Sequence, residues 1–272
     1  MSCNGWSITR GVSFSLGTRL LYSVQPLADR KPPGQNRRAG EEQPGSVNRQ
    51  RTSTMRLTTL DYSEWIRHLF DHPAEGPQWY YDVDAPFWAG LPALTLAYMT
   101  RLFETPVEAT TDFSDAQINQ GLWYLLSDAS HDVLATVMLP KADRGRCIVA
   151  MGVLFREIFA PRCTPHLSHK SEMDAGALNA VCYMWWDILQ LMPQPAQREQ
   201  WELDVAAIEV MADALALDSV ACQESALHGL GHWNTAYPEE IARIIDRYVE
   251  RSAGARPDLI TYAKSARTGC VL

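Results

Sequence analysis

The chain has 272 residues, 46% apolar and 21% charged, with a formal net charge of −8. That length and usage can bury a sizeable core, while six Cys are too sparse for a disulfide scaffold. No run of about 18 uncharged apolar residues occurs, which argues against a transmembrane helix.

The charge is unevenly spread. Residues 1–54 carry eight Lys/Arg against Asp29, Glu41 and Glu42, which leaves −13 on residues 55–272. A domain this acidic is a poor partner for phosphate backbones or anionic membrane surfaces, so neither nucleic acid nor membrane is expected. Residues 1–54 are rich in Ser, Gly, Pro and Arg and lack periodicity. They read as a disordered or non-native N-terminal extension, with Met55 as the start, or alternatively as a transit peptide. A cytoplasmic location is expected.

From Met55 onward the pattern is helical. Ser63 is placed to cap a helix over Glu64–Phe70. Residues 71–92 form a Pro- and ring-rich loop, and its rings, from Trp79 to Trp88, are expected to pack mostly on the domain. Pro92 suits the first turn of a helix reaching about Phe103. Ser114-Asp115-Ala116-Gln117 has the form of a capping box opening a helix to about Leu126. Cys147–Phe155, nine residues apolar or Gly, fits a buried strand or helix, and its helical neighbours favour a helix. Ala175–Leu191 reads as a central helix, followed by Leu203–Leu215, Val220–Trp233, a helix opened by Pro238, and Pro257–Arg267 with Gly269 as its stop. The fold class is therefore all-α: one domain of helical hairpins over 55–272, of which a HEAT-like α-solenoid is one form. The window Asp218–Gly231 has the Asp, Val and Ala-Leu…Leu-Gly spacing of the second helix of a HEAT repeat, but it is a single window.

Several strings resemble a group of uncharacterised bacterial all-helical proteins: Phe113–Trp123, Cys182–Asp187, Cys222–Trp233 and Gly269–Leu272. The resemblance spans 55–272. It implies helical architecture and a bacterial source, and it carries no activity.

No Gly-x-Ser-x-Gly elbow, phosphate-binding Gly-x4-Gly-Lys-Ser/Thr loop or His-Glu-x-x-His motif occurs. The leading candidate is the helix Val220–Trp233, where Glu224, His228 and His232 recur at i, i+4 and i+8 on one face, placed by periodicity away from the core. Two His at that spacing can share a transition metal such as zinc, and the carboxylate one turn earlier can be a third ligand or a base. The competing reading is a polar face bonded to neighbouring loops. A second candidate is Cys163-x2-His166-x2-His169, with ligand types for zinc but no paired Cys-x2–4-Cys. The third lies within Ala175–Leu191, where Asn179, Tyr183, Trp186 and Asp187 share an arc. They read as a buried polar network or as a ligand pocket with Asp187 as its charged group, its carboxyl raised by desolvation. The functional expectation is a non-catalytic, cofactor-free module binding a protein partner. The alternative is a metal-dependent, hydrolase-like enzyme centred on Glu224, His228 and His232, with Asp187 as general base.

Overall fold

A capping box opens the first helix. In the computed structural model, Asp61 accepts the Glu64 N–H and Glu64 returns a bond to the Asp61 N–H, so α1 runs Tyr62–Phe70. The cap is thus Asp61 rather than Ser63, because only Asp61 has its acid partner three residues on. The structure describes residues 55–272 except 83, 130–133, 135–137, 190, 253–255 and 272, with no side-chain description at 128 and 129. The expected extension 1–54 lies outside the described residues.

The described residues are mostly helical, and the all-α expectation holds. One small addition is a two-residue parallel bridge, β1 (Arg56–Leu57) beside β2 (Phe87–Trp88), with Arg56 opposite Phe87. It ties the start of the domain to the end of the ring-rich loop. That loop is pinned by its own rings: Trp79 stacks on His72 at 3.9 Å and lies 4.5 Å from Tyr124. The Tyr124 hydroxyl accepts the Trp88 N–H at 2.7 Å.

The helices then follow in order. Pro92 starts α2 (Pro92–Glu104), and α3 (Pro106–Thr110) is one short turn beyond it. Ser114 caps α4 (Asp115–Tyr124) through the expected box with Gln117. The run at Cys147 belongs to α5 (Lys141–Leu154), which continues through a π turn at Phe155–Phe159 into α6 (Ala160–Arg162). The single helix expected over Ala175–Leu191 is instead two fragments, α7 (Asn179–Tyr183) and α8 (Trp185–Ile188), which meet at Met184. The Asn179 side chain explains the late start. It accepts the Thr164 N–H and donates to the Thr164 carbonyl, which binds the segment to the preceding loop.

Four longer helices complete the domain: α9 (Trp201–Leu215), α10 (Val220–Trp233), α11 (Pro238–Arg251) and α12 (Pro257–Ala266). Ser219 caps α10, and Pro stands at the start of α11 and α12 as the sequence pattern requires. Gly269, at φ +73°, follows α12 in the left-handed conformation that ends helices.

The core gathers around α10, which packs against α7, α8, α9, α11 and α12. Every residue from Ala221 to Gly231 except Gln223 is buried. Glu224 and His228 are 0% and 1% exposed, so they do not lie on a face turned away from the core. Helical periodicity separates an apolar face from a polar one; it does not say that a second layer of structure covers the polar face. Gly229 permits this crowding, since a Cβ there would stand 2.6 Å from Trp186 Cγ and 2.8 Å from Met211 Sδ. No helix among the described residues is long and apolar enough to cross a membrane.

Candidate metal centre

Two carboxylates meet α10, and they do so differently. Glu224, one turn into the helix, accepts the Ser168 N–H at 2.9 Å, the His169 N–H at 2.9 Å and the His169 ring N–H at 2.6 Å. The loop over 163–170 folds across this end of α10, and Glu224 answers its backbone donors as a helix cap would. Its oxygens are therefore engaged away from His232, and Glu224 does not join the two histidines as the expected third ligand.

Asp187 takes that place. The α8 fragment carries it to the lower half of α10, where Oδ2 lies 2.9 Å from His228 Nε2 and Oδ1 lies 3.0 Å from His232 Nε2. The two Nε2 atoms are 3.2 Å apart. Asp187, His228 and His232 are the one group of three or more His, Cys, Asp or Glu side chains among the described residues whose ligand atoms converge within 4.8 Å. Exposure is graded across the cluster: the His228 side chain is 1% exposed, Asp187 28% and His232 44%.

The electrostatics follow from these contacts. Burial works to raise the Asp187 carboxyl, but the hydrogen bonds and charges of His228 and His232 outweigh it and hold the group well below the usual carboxylate range. A carboxylate only accepts, so both Nε2–H groups donate to it. With both protons committed to Asp187, the 3.2 Å approach of the two nitrogens brings donor against donor. A cation in place of those protons removes the conflict. Tetrahedral zinc with Zn–N bonds near 2.0–2.1 Å sets its ligands about 3.3 Å apart, close to the spacing seen.

Behind the cluster stands Tyr262. Its hydroxyl lies 2.7 Å from His228 Nδ1 and 3.4 Å from the Tyr183 hydroxyl, and its ring stacks on His169 at 4.2 Å. Burial first, and then Tyr183, push the Tyr262 phenol far above its ordinary value, so it remains protonated. Sequence reasoning missed Tyr262. The signal available was the spacing Leu259, Tyr262, Ala263, Ala266, which puts it on the inner face of α12.

Of the four residues expected to share a pocket on α7 and α8, Asn179 and Trp186 turn elsewhere, while Tyr183 and Asp187 both meet His228. Asn179 holds the 164–166 loop, with donors and acceptors at Thr164 and His166. Trp186 packs beneath Gly229 and stacks on Phe155 with centroids 6.0 Å apart. Tyr183 leans on His228 at 4.4 Å, and Asp187 enters the cluster. Nor do Cys163, His166 and His169 converge: His166 pairs with the Thr164 hydroxyl at 2.8 Å, and His169 with Glu224. Two surface clefts lie elsewhere. One of about 380 Å³ is lined by Arg101, Glu104 and Arg146, and one of about 480 Å³ by Asp213, Arg247 and Arg251. Both are open grooves without converging ligand atoms, so the chemistry is read at the Asp187 cluster, not at the clefts.

Compared with protein-family models, curated proteins and solved structures, the chain matches none, so the bacterial resemblance carries no family assignment and the site is read from its own chemistry.

Proposed function

We propose that this protein binds a divalent transition metal, with zinc the best fit, through His228, His232 and Asp187, and that it acts as a metal-dependent enzyme of the hydrolase type. The observation that carries this reading is the convergence of three ligand side chains with the exposure rising from His228 to His232. Two imidazoles and one carboxylate form a ligand set that leaves a fourth position for water, and its solvent side is where water enters. An ion held by His228, His232 and Asp187 would supply Lewis acidity and would make a neighbouring water more acidic. Asp187 is a ligand in this reading, not a general base.

The test is metal content of the purified full-length protein by elemental mass spectrometry, beside a His228→Ala/His232→Ala variant. Near-stoichiometric metal that disappears in the variant is the expected result, and a screen of ester and phosphoester substrates then follows. Equal metal in both proteins, or none in either, removes the reading.

A second reading is a cytoplasmic interaction module for a protein partner. It is favoured by Trp201, 53% exposed at the start of α9, because exposed aromatics are effective anchors. The ring-rich loop supports it less, since Trp88 is buried and Trp79 is stacked inward, leaving Tyr81 as its outward ring. A HEAT-like solenoid rests on the one window Asp218–Gly231, and the encirclement of α10 favours a bundle around a central helix instead.

A further inference from the structure

The polar side chains behind the cluster form a continuous series from Glu224 to His228. Glu224 anchors the His169 ring at 2.6 Å, that ring lies flat on Tyr262 at an interplanar angle of 13°, and the Tyr262 hydroxyl reaches His228 Nδ1 at 2.7 Å. Nδ1 is the imidazole nitrogen turned away from Asp187. Tyr262 is 7% exposed, and the His169 ring lies against one face of its phenol.

We infer that Tyr262 is the positioning residue of the metal site, holding the His228 ring so that Nε2 faces Asp187 and His232, and that Glu224 supports it through His169. This rests on the metal reading above. An imidazole about its second torsion is only broadly confined by its own rotamer preferences, so ring direction must come from a partner on the far nitrogen. A hydroxyl suits that task in both states of the site. It donates to Nδ1 while Nε2–H is bonded to Asp187, and it accepts from Nδ1–H once Nε2 holds a metal. A carboxylate would serve only the second state and an amide N–H only the first. Glu224 itself answers the 163–170 loop and reaches the site only through the His169 ring that covers Tyr262.

Cobalt(II) titration of the full-length protein tests this, comparing wild type with Tyr262→Phe and Tyr183→Phe. Tyr262→Phe is expected to bind cobalt about 10–100-fold more weakly and to show an altered visible spectrum at saturation. Tyr183→Phe, whose hydroxyl lies one bond further away, is expected to stay close to wild type. A Tyr262→Phe protein with wild-type affinity and spectrum overturns the positioning inference and leaves the metal reading standing. Wild type that binds neither cobalt nor zinc overturns both. Should Tyr262→Phe not fold, nitrogen NMR of the histidine rings in zinc-loaded wild type decides. His228 bound through Nε2 with the proton on Nδ1 supports the inference, and coordination through Nδ1 overturns it.

Discussion

Glu224 and Asp187 are both carboxylates paired with histidine on the flank of α10, yet they do opposite kinds of work. Glu224 is fully buried and receives two backbone N–H groups besides the His169 ring. Asp187 is partly exposed and, among the described residues, its carboxylate receives only imidazoles. Backbone donors cannot leave, so a carboxylate that satisfies them is part of the fold. Imidazole protons can be exchanged for a cation, so a carboxylate that meets only imidazoles is free to do chemistry. What separates the two is the source of their donors, not residue type or distance to the helix.

The comparison breaks most directly by removing each carboxylate. Glu224→Ala empties a fully buried position and leaves two half-buried backbone N–H groups and the His169 ring N–H unanswered, and should cost about 3–5 kcal/mol in chemical unfolding. Asp187→Ala should cost about 1 kcal/mol while abolishing metal uptake. Equal losses of stability would show that both carboxylates are structural.

Gly229→Ala probes the packing that presses α8 onto α10. The new methyl meets the Trp186 ring at 2.6 Å, so overpacking of about 1–3 kcal/mol is expected, together with weaker metal binding as α8 shifts Asp187. A variant of wild-type melting temperature would mean that Trp186 moves freely.

Metal itself should stabilise. Zinc at a hundredfold excess over its dissociation constant adds about 2.7 kcal/mol, visible as a raised melting temperature in wild type and absent in His232→Ala. No shift in wild type would place Asp187 with Glu224 as a purely structural group.

The remaining effects are in acid. Because the Asp187 carboxyl is depressed in the fold, its contribution is present above the unfolded value near about 3.9 and is lost as pH falls through the folded value. Asp187→Asn should therefore lose less stability than wild type below about pH 4. His68 offers the reference case of a histidine with no carboxylate, bonded to the Tyr124 hydroxyl at 3.3 Å. Burial, then the neighbouring His72, push it down to about 4. A histidine kept neutral in the fold takes up its proton more readily when unfolded, so stability falls as pH drops from about 6.5 towards 4. His68→Gln should flatten that slope in pH-dependent melting, and an unchanged slope would assign the effect to other groups.

Much of the helical framework was legible in the sequence, because caps and prolines act locally. Ser114 with Gln117, Pro92, Pro238 and Pro257 mark their helix starts through bonds or torsions made within one turn. The spacing of Glu224, His228 and His232 likewise placed them on one face of one helix. The Ala175–Leu191 segment departs from its periodicity for the complementary reason: its late start at Asn179 depends on bonds to a loop fifteen residues earlier.

Helical periodicity alone puts Glu224, His228 and His232 on one face of α10, because 3.6 residues per turn requires nothing beyond the chain. What each of them meets is set by the packing of distant segments. Glu224 was given to the 163–170 loop, His228 and His232 to Asp187 on α8, and Tyr262 was brought from α12 to stand behind His228. Those meetings join residues 34 to 56 positions apart, and no local periodicity carries information across such separations.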